Sequence, residues 1–352
     1  MSGDTFPPIF DGHNDLLFQL HRGAVTREAV ARGGATGHID LPRARAGGLA
    51  GGMFAIFVPG RLEGESFMRA MEAAPYDLPL PEAVGWPDSV RVAASQAAHL
   101  FALDRAGALA VCRTVPEIEA AMGAGVLAAV MHMEGAEAID AEFHMLEVFH
   151  AAGLRSLGPV WSRPTIFGHG VPMRFPGDPD TGPGLTDCGR ALVRACNDLG
   201  ILIDLSHLNE KGFDDVARIS DAPLVATHSN AHALCPSTRN LTDRQLAVIA
   251  ERDGLVGLNF AAVFLRPDGR MRTDFGIDVM LRHLDHLIDR LGEDRVALGS
   301  DFDGALVSRE IGDAAGLPAL RAAMRAHGYD AALMAKLCNG NWLRVLGATL
   351  RP

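Results

Sequence analysis

Asp204-Leu205-Ser206-His207 and, after a helix-length interval, Ala226-Thr227-His228-Ser229-Asn230 decide how the chain is read. Each histidine closes a short apolar run, Ile201-Leu202-Ile203 in the first case and Pro223-Leu224-Val225-Ala226 in the second. Two such runs separated by one helix predict consecutive parallel strands of a βαβ unit. Both imidazoles then stand at strand C-termini on one edge of one sheet, where α/β proteins bind ligands. Taken singly, each would be an ordinary core or capping histidine; as a pair at one sheet edge they suggest metal ligands.

Outward from this unit the same rhythm continues. Toward the N-terminus, strands are expected at 8–11, 51–58, 126–131 and 154–160. Beyond it they are expected at 255–260 and 296–299. Amphipathic helices are expected at 89–106, 141–152, 187–199 (capped by Thr186) and 274–291. Eight strands alternating with helices predict an α/β fold, a (β/α)8 TIM barrel, as one domain over residues 1–352. Residues 61–88 read as a long connection. Residues 162–184, rich in proline and glycine, read as a lid-like loop. The segment from about 313 to 352 reads as helical, ending in a helix at 342–346 packed on the barrel's outside.

Composition bounds the function. The 352 residues are 48% hydrophobic and 21% charged with a net charge of −11, which fits a large-cored enzyme and disfavours nucleic acid or an anionic membrane as partner. No apolar run reaches the ~18 residues of a membrane span, and the N-terminus lacks a secretory pattern. Five scattered cysteines without a CxxC pair fit reduced thiols in the cytoplasm. No dinucleotide or phosphate-loop glycine motif is present.

A barrel's active site is assembled at its strand tips, which here carry His13 and Asp15, Glu134, His207, His228 and Asp301. Imidazoles and carboxylates in this mixture suit Zn²⁺ or a similar ion at roughly 2.0–2.2 Å. In an extended strand His13 and Asp15 would point the same way. The triplet recurs at His38-Ile39-Asp40 and His283-Leu284-Asp285, expected to be a surface turn and a helix face. The only lysines, Lys211 and Lys336, are not at strand tips, which disfavours a carboxylated lysine bridge and leaves Glu134 as the bridging candidate.

Six motifs carry a resemblance: Asp11-Gly12-His13-Asn14-Asp15, His132-Met133-Glu134-Gly135, Asp204-Leu205-Ser206-His207, Thr227-His228-Ser229-Asn230, Ser237-Thr238-Arg239-Asn240 and Gly299-Ser300-Asp301-Phe302-Asp303-Gly304. In this order they resemble the membrane (renal) dipeptidase family of zinc peptidases in the amidohydrolase superfamily. The likeness runs from Asp11 to Asn339-Gly340-Asn341-Trp342-Leu343-Arg344. It implies two Zn²⁺ per chain, one on His13, Asp15 and Glu134, the other on Glu134, His207 and His228. It also implies that Arg239 binds the substrate's terminal carboxylate and that Asp301 transfers the proton; Asp303, only two residues away, is the rival for that role.

The function so implied is hydrolysis of dipeptides by a hydroxide activated between two zinc ions. Tolerance of a C-terminal D-residue and a homodimer follow by the same analogy. The chain departs from the family at Trp161, where a substrate-contacting histidine is usual, and His169 or Arg163 in the next loop is the candidate replacement. Another amidohydrolase, such as a lactonase, deacylase or deaminase, would use the same metals. A barrel that only binds a small ligand is the non-enzymatic alternative.

Overall fold

The computed structural model describes residues 6–60 and 65–351, so the reading of the extreme N-terminus and part of the 61–88 connection lie outside the described residues. Eight parallel strands form the frame. They are β1 (Ile9–Asn14), β2 (Leu49–Phe57), β3 (Leu127–Glu134), β4 (Leu154–Gly158), β5 (Leu202–Ile203), β6 (Val225–Ala226), β7 (Leu255–Leu258) and β8 (Val296–Leu298).

Strands β1 to β5 pair in sequence order, and β6 to β8 form a second parallel set. Single bridges join the two sets, Asp204 to Val225 on one side and Asn14 to Phe302 on the other. The sheet therefore curls into the expected (β/α)8 barrel. A further short strand at Leu109–Val111, absent from the sequence reading, pairs with the start of β3. It occupies the side of β3 that β4 takes higher up, from Met131 onward.

The expected helices form where their apolar faces meet the barrel. Thr186 caps the helix Asp187–Leu199, its hydroxyl accepting from the Gly189 N–H at 3.0 Å. The 89–106 expectation is met by Trp86–Arg105, and 274–291 by Ile277–Leu291. Within the 162–184 loop, Arg174–Phe175 pairs antiparallel with Tyr76–Asp77, and Arg163 and Phe167 are fully buried.

One placement differs from expectation. The last helix, Asn341–Thr349, does not lie on the outside of the barrel but closes its N-terminal end. Trp342 is fully buried among the inward-facing Phe10, Met53, Val130 and Leu255, with Val345 and Leu346 beside it. Its indole N–H donates to the Leu298 carbonyl at 2.9 Å. Space for the ring comes from Gly12, where a Cβ would fall 2.4 Å from Trp342 Cζ2 and 2.5 Å from the Thr227 carbonyl oxygen.

Candidate metal centre

At the opposite, C-terminal end the strand tips bring together the imidazoles and carboxylates that the sequence singled out. Glu134, the last residue of β3, is the hub. Its Oε1 lies 3.0 Å from His207 Nε2, 3.2 Å from His228 Nε2 and 3.7 Å from His13 Nε2. His13 Nε2 is also 3.4 Å from Asp15 Oδ2. Candidate ligand atoms of His13, Asp15 and Asp301 form a second group within 4.8 Å.

Asp15 reaches this position for a reason other than strand alternation. β1 ends at Asn14, and Asp15 turns out of the strand at φ −109°, ψ 26°, into the N-cap position of the helix Leu16–His21. The loop after β8 then packs against it: at Gly304 a Cβ would fall 2.1 Å from Asp15 Oδ2 and 2.5 Å from Asp301 Oδ1. Only a residue without a side chain lets the two carboxylates approach.

Two of the three imidazoles are oriented from behind. His207 Nδ1 meets Ser162 Oγ at 2.8 Å, and His228 Nδ1 meets Thr227 Oγ1 at 2.8 Å. Thr227 Oγ1 in turn donates to Asp204 Oδ2 at 2.6 Å. His132 pairs with Ser156 Oγ across β3 and β4 at 2.9 Å and stands edge-on to the His13 ring. Asp11 accepts from the Ser300 N–H and hydroxyl, tying β1 to β8. Asn259 Nδ2 donates to Asp301 Oδ2 at 2.9 Å.

The sequence alone assigns none of these residues a supporting role, although signals for two exist. Asn259 directly follows β7 and so obeys the same strand-tip rule as the ligands. His132 precedes Glu134 by two residues on one strand and shares its face.

The electrostatics test whether cations fit. Burial holds His13, His207 and His228 below the ordinary histidine range and so favours the neutral form of all three. Burial, reinforced by Asp15 and Asp301, pushes Glu134 well above the ordinary carboxylate range, and burial raises Asp15 to about 7. Neutral Nε2 lone pairs and carboxylate oxygens thus face one another with no hydrogen bond between them. Both His13 ring nitrogens are buried without a hydrogen-bond partner. Such a set repels itself unless protons or cations sit between its members, and its nitrogen and oxygen donors suit a divalent ion. The residues fit the metals that the resemblance implies.

A cavity of about 470 Å³ opens over this cluster. Asp15, Glu134, His207, Asp301 and Asp303 line its floor, and Phe18, Phe57, Met68, Met173, Phe264 and Met271 its walls. Trp161 also lines it, with its ring 5.7 Å from that of His207 and edge-on to Phe57.

Two expected contacts are placed elsewhere. His169 faces a separate surface cavity with Leu78, Pro172 and Arg174. Arg163 turns from the site to pair with Glu137 at 2.6 Å. Arg239 is buried at 3% exposure beside the cluster, its guanidinium against the Phe264 ring and donating to Ser229 Oγ at 2.7 Å and the His228 carbonyl at 2.9 Å.

Fold and site together define a (β/α)8 barrel with a carboxylate-centred cluster of candidate metal ligands at the strand tips. The chain belongs to the membrane dipeptidase family, peptidase family M19, whose model matches residues 5–351. A metallo peptidase from Rhodobacter sphaeroides, crystallised with a phosphinate mimic of the dipeptide L-Ala-D-Ala, is 59% identical with a TM-score of 0.96, covering 98% of this chain and 100% of that one. An uncharacterized protein in the pqqA 5' region of Klebsiella pneumoniae is 53% identical over 68% of this chain and 89% of its own length. The probable dipeptidase PvdM of Pseudomonas aeruginosa, 22% identical over 97% of this chain and 95% of its own with a TM-score of 0.81, shares the fold. Among the described residues no helix is long and apolar enough to cross a membrane.

Proposed function

We propose that this metallopeptidase-family enzyme hydrolyses free dipeptides with two zinc ions, and that it accepts a D-residue at the C-terminal position. The observation that carries the reading is the convergence of three imidazole Nε2 atoms on Glu134 Oε1 within 3.0–3.7 Å. His13 and Asp15 would hold one ion, His207 and His228 the other, and Glu134 would touch both. When bound, the pair would polarise the scissile carbonyl and bring the pKa of a water near neutrality.

The chain's own groups supply the rest. Asp301, raised to about 6 by burial, accepts the proton given up by the attacking water and passes it to the departing amine. Asn259 keeps that carboxylate aimed by holding its other oxygen. The aromatic and methionine walls exclude bulk water from the reacting atoms and enclose the substrate's side chains. Trp161 offers an indole face beside His207 where the family has an imidazole, so substrate choice shifts rather than metal binding. Arg239, held beside the cluster by the His228 carbonyl, supplies positive charge there and is the candidate partner of the substrate carboxylate. The L-Ala-D-Ala mimic in the Rhodobacter relative supports the C-terminal D-residue.

The five unpaired cysteines support a reducing, cytoplasmic setting. A homodimer of one-domain barrels rests on the family resemblance alone. The position of Arg239 against the Phe264 ring favours keeping a second reading, a lactonase or deacylase with less need of a free carboxylate. Steady-state kinetics of zinc-loaded enzyme on L,L-, L,D- and D,D-dipeptides, lactones and N-acyl amino acids separates them. Turnover of L,D-dipeptides with about two ions per chain supports the proposal, and turnover confined to lactones or N-acyl amino acids overturns it.

A further inference from the structure

The turn after β8 carries two carboxylates, and both are in the left-handed region at non-glycine residues: Asp301 at φ 59° and Asp303 at φ 71°. That conformation is disfavoured for L-residues, so the fold must hold the turn in place. The two side chains diverge. Asp301 faces His13 and Asp15 in the metal cluster. Asp303, which also borders the cavity, is tied instead to the segment that precedes the helix Leu41–Gly47.

The tie is reciprocal and involves His38, which the sequence reading left on a surface turn. Asp303 Oδ1 accepts the His38 backbone N–H at 2.5 Å, and His38 Nδ1 accepts the Asp303 backbone N–H at 2.7 Å. Burial holds His38 below the ordinary histidine range, and in the neutral ring the Asp303 N–H selects the tautomer whose Nδ1 lone pair accepts. Its ring rests 5.4 Å from that of Phe302. The chain comes close enough at Gly37 that a Cβ there would fall 2.2 Å from Asp303 Oδ1. Gln19 Nε2 fixes the third polar group of Asp303, its carbonyl, at 2.6 Å.

We propose that His38 is a positioning residue for Asp301: by pairing with the backbone and carboxylate of Asp303 it locks the left-handed turn that aims the Asp301 carboxylate at the metal cluster. This rests on the reading of Asp301 as the proton carrier. It gives Asp303 a holding role and Asp301 the chemical one.

Three substitutions at position 38 separate the acceptor from the ring. His38→Phe keeps an aromatic ring on Phe302 and removes the acceptor. His38→Asn returns an acceptor oxygen near the place of Nδ1, whereas His38→Gln sets it one carbon too far. We expect kcat on a dipeptide to fall about tenfold in His38→Phe and His38→Gln, as small misplacements of a reacting group do. KM and metal content should stay within about twofold of wild type, and His38→Asn should recover kcat to within about threefold.

Wild-type kcat in His38→Phe overturns the inference. So does an asparagine variant no better than phenylalanine, or a loss of kcat that merely follows loss of bound metal or of folded protein. Asp301→Asn, measured alongside, keeps the two readings apart. If Asp301→Asn is active, the proton-carrier assignment itself fails; if it is inactive while His38→Phe is normal, only the positioning role fails.

Discussion

The two ends of this barrel are built from the same strands and do opposite things. At the N-terminal end Phe10, Met53, Val130 and Leu255 point inward and close on Trp342, leaving an apolar, filled interior. At the C-terminal end the strands stop in His13, Glu134, His207 and His228, which are just as buried. There, polar atoms lack partners, and His207, Asp301 and Asp303 take positive φ. One end lowers the free energy of folding by excluding water, while the other keeps buried charge and backbone strain that a binding event can use. Few residues separate them along a strand, so substitutions at the two ends should have separable consequences.

The largest expected effect is at the hub of the polar end. Glu134→Gln should abolish most activity and lower the content of both ions together, because one oxygen set serves all three histidines. The metal-free variant should melt no lower than the metal-free parent, since a buried carboxylate among Asp15 and Asp301 has been neutralised. Metal analysis and calorimetry check this. Loss of one ion only, with the other retained at full occupancy, would break the bridging assignment.

The mirror experiment is at the apolar end. Trp342→Ala leaves a cavity and an unpartnered Leu298 carbonyl, and should cost about 3–5 kcal/mol of stability. The fraction still folded at low temperature should keep its kcat. A denaturant titration paired with kinetics reads both, and a kcat that falls with full folding and metal retained would show the ends to be coupled.

Arg239 lies between the two behaviours: it is buried like the plug and charged like the site. Arg239→Met should raise KM for free dipeptides by roughly tenfold, the worth of a charge-assisted hydrogen bond. C-terminal amidation of the substrate should do similar harm to the unmodified enzyme, and the two losses should not add. If the variant loses metal instead, the hydrogen bonds to Ser229 and the His228 carbonyl are the main task of this residue.

The smallest effect is expected from Trp161→His, which changes one wall of the cavity beside His207. Relative kcat/KM among dipeptides should shift by a few-fold with metal content unchanged, as pocket contacts of this size do. An unchanged ranking across a panel of side chains would remove Trp161 from substrate choice.

Much of this was readable along the chain because α/β barrels repeat a simple rule. An apolar run followed by a polar residue, spaced by one helix, was enough to find β5 and β6 and to put His207 and His228 at one edge. The same rule applied to Leu255–Phe260 would have flagged Asn259, which now holds Asp301. It could not have found Ser162 or Thr227 as imidazole partners, since serine and threonine are common in loops and only proximity gives them a task. Asp15 was found for the wrong reason, because strand alternation does not survive its turn into a helix N-cap.

The sequence by itself determined the strand and helix order, the ligand types and the end of the barrel that gathers them, since these follow from hydrophobic periodicity and from the position of polar residues in it. Strand-tip position already separates the His-x-Asp triplet at 13 from those at 38 and 283, but tertiary structure alone decided that His38 would grip Asp303 from 265 positions away. It also set the Arg239 guanidinium against the Phe264 ring, His169 in another cavity and Trp342 inside the barrel. Those outcomes depend on which backbone segments meet across the closed sheet and on the space that Gly12 and Gly304 leave open. Local pattern carries the direction of a side chain, but contact between distant residues is fixed only when the whole chain packs.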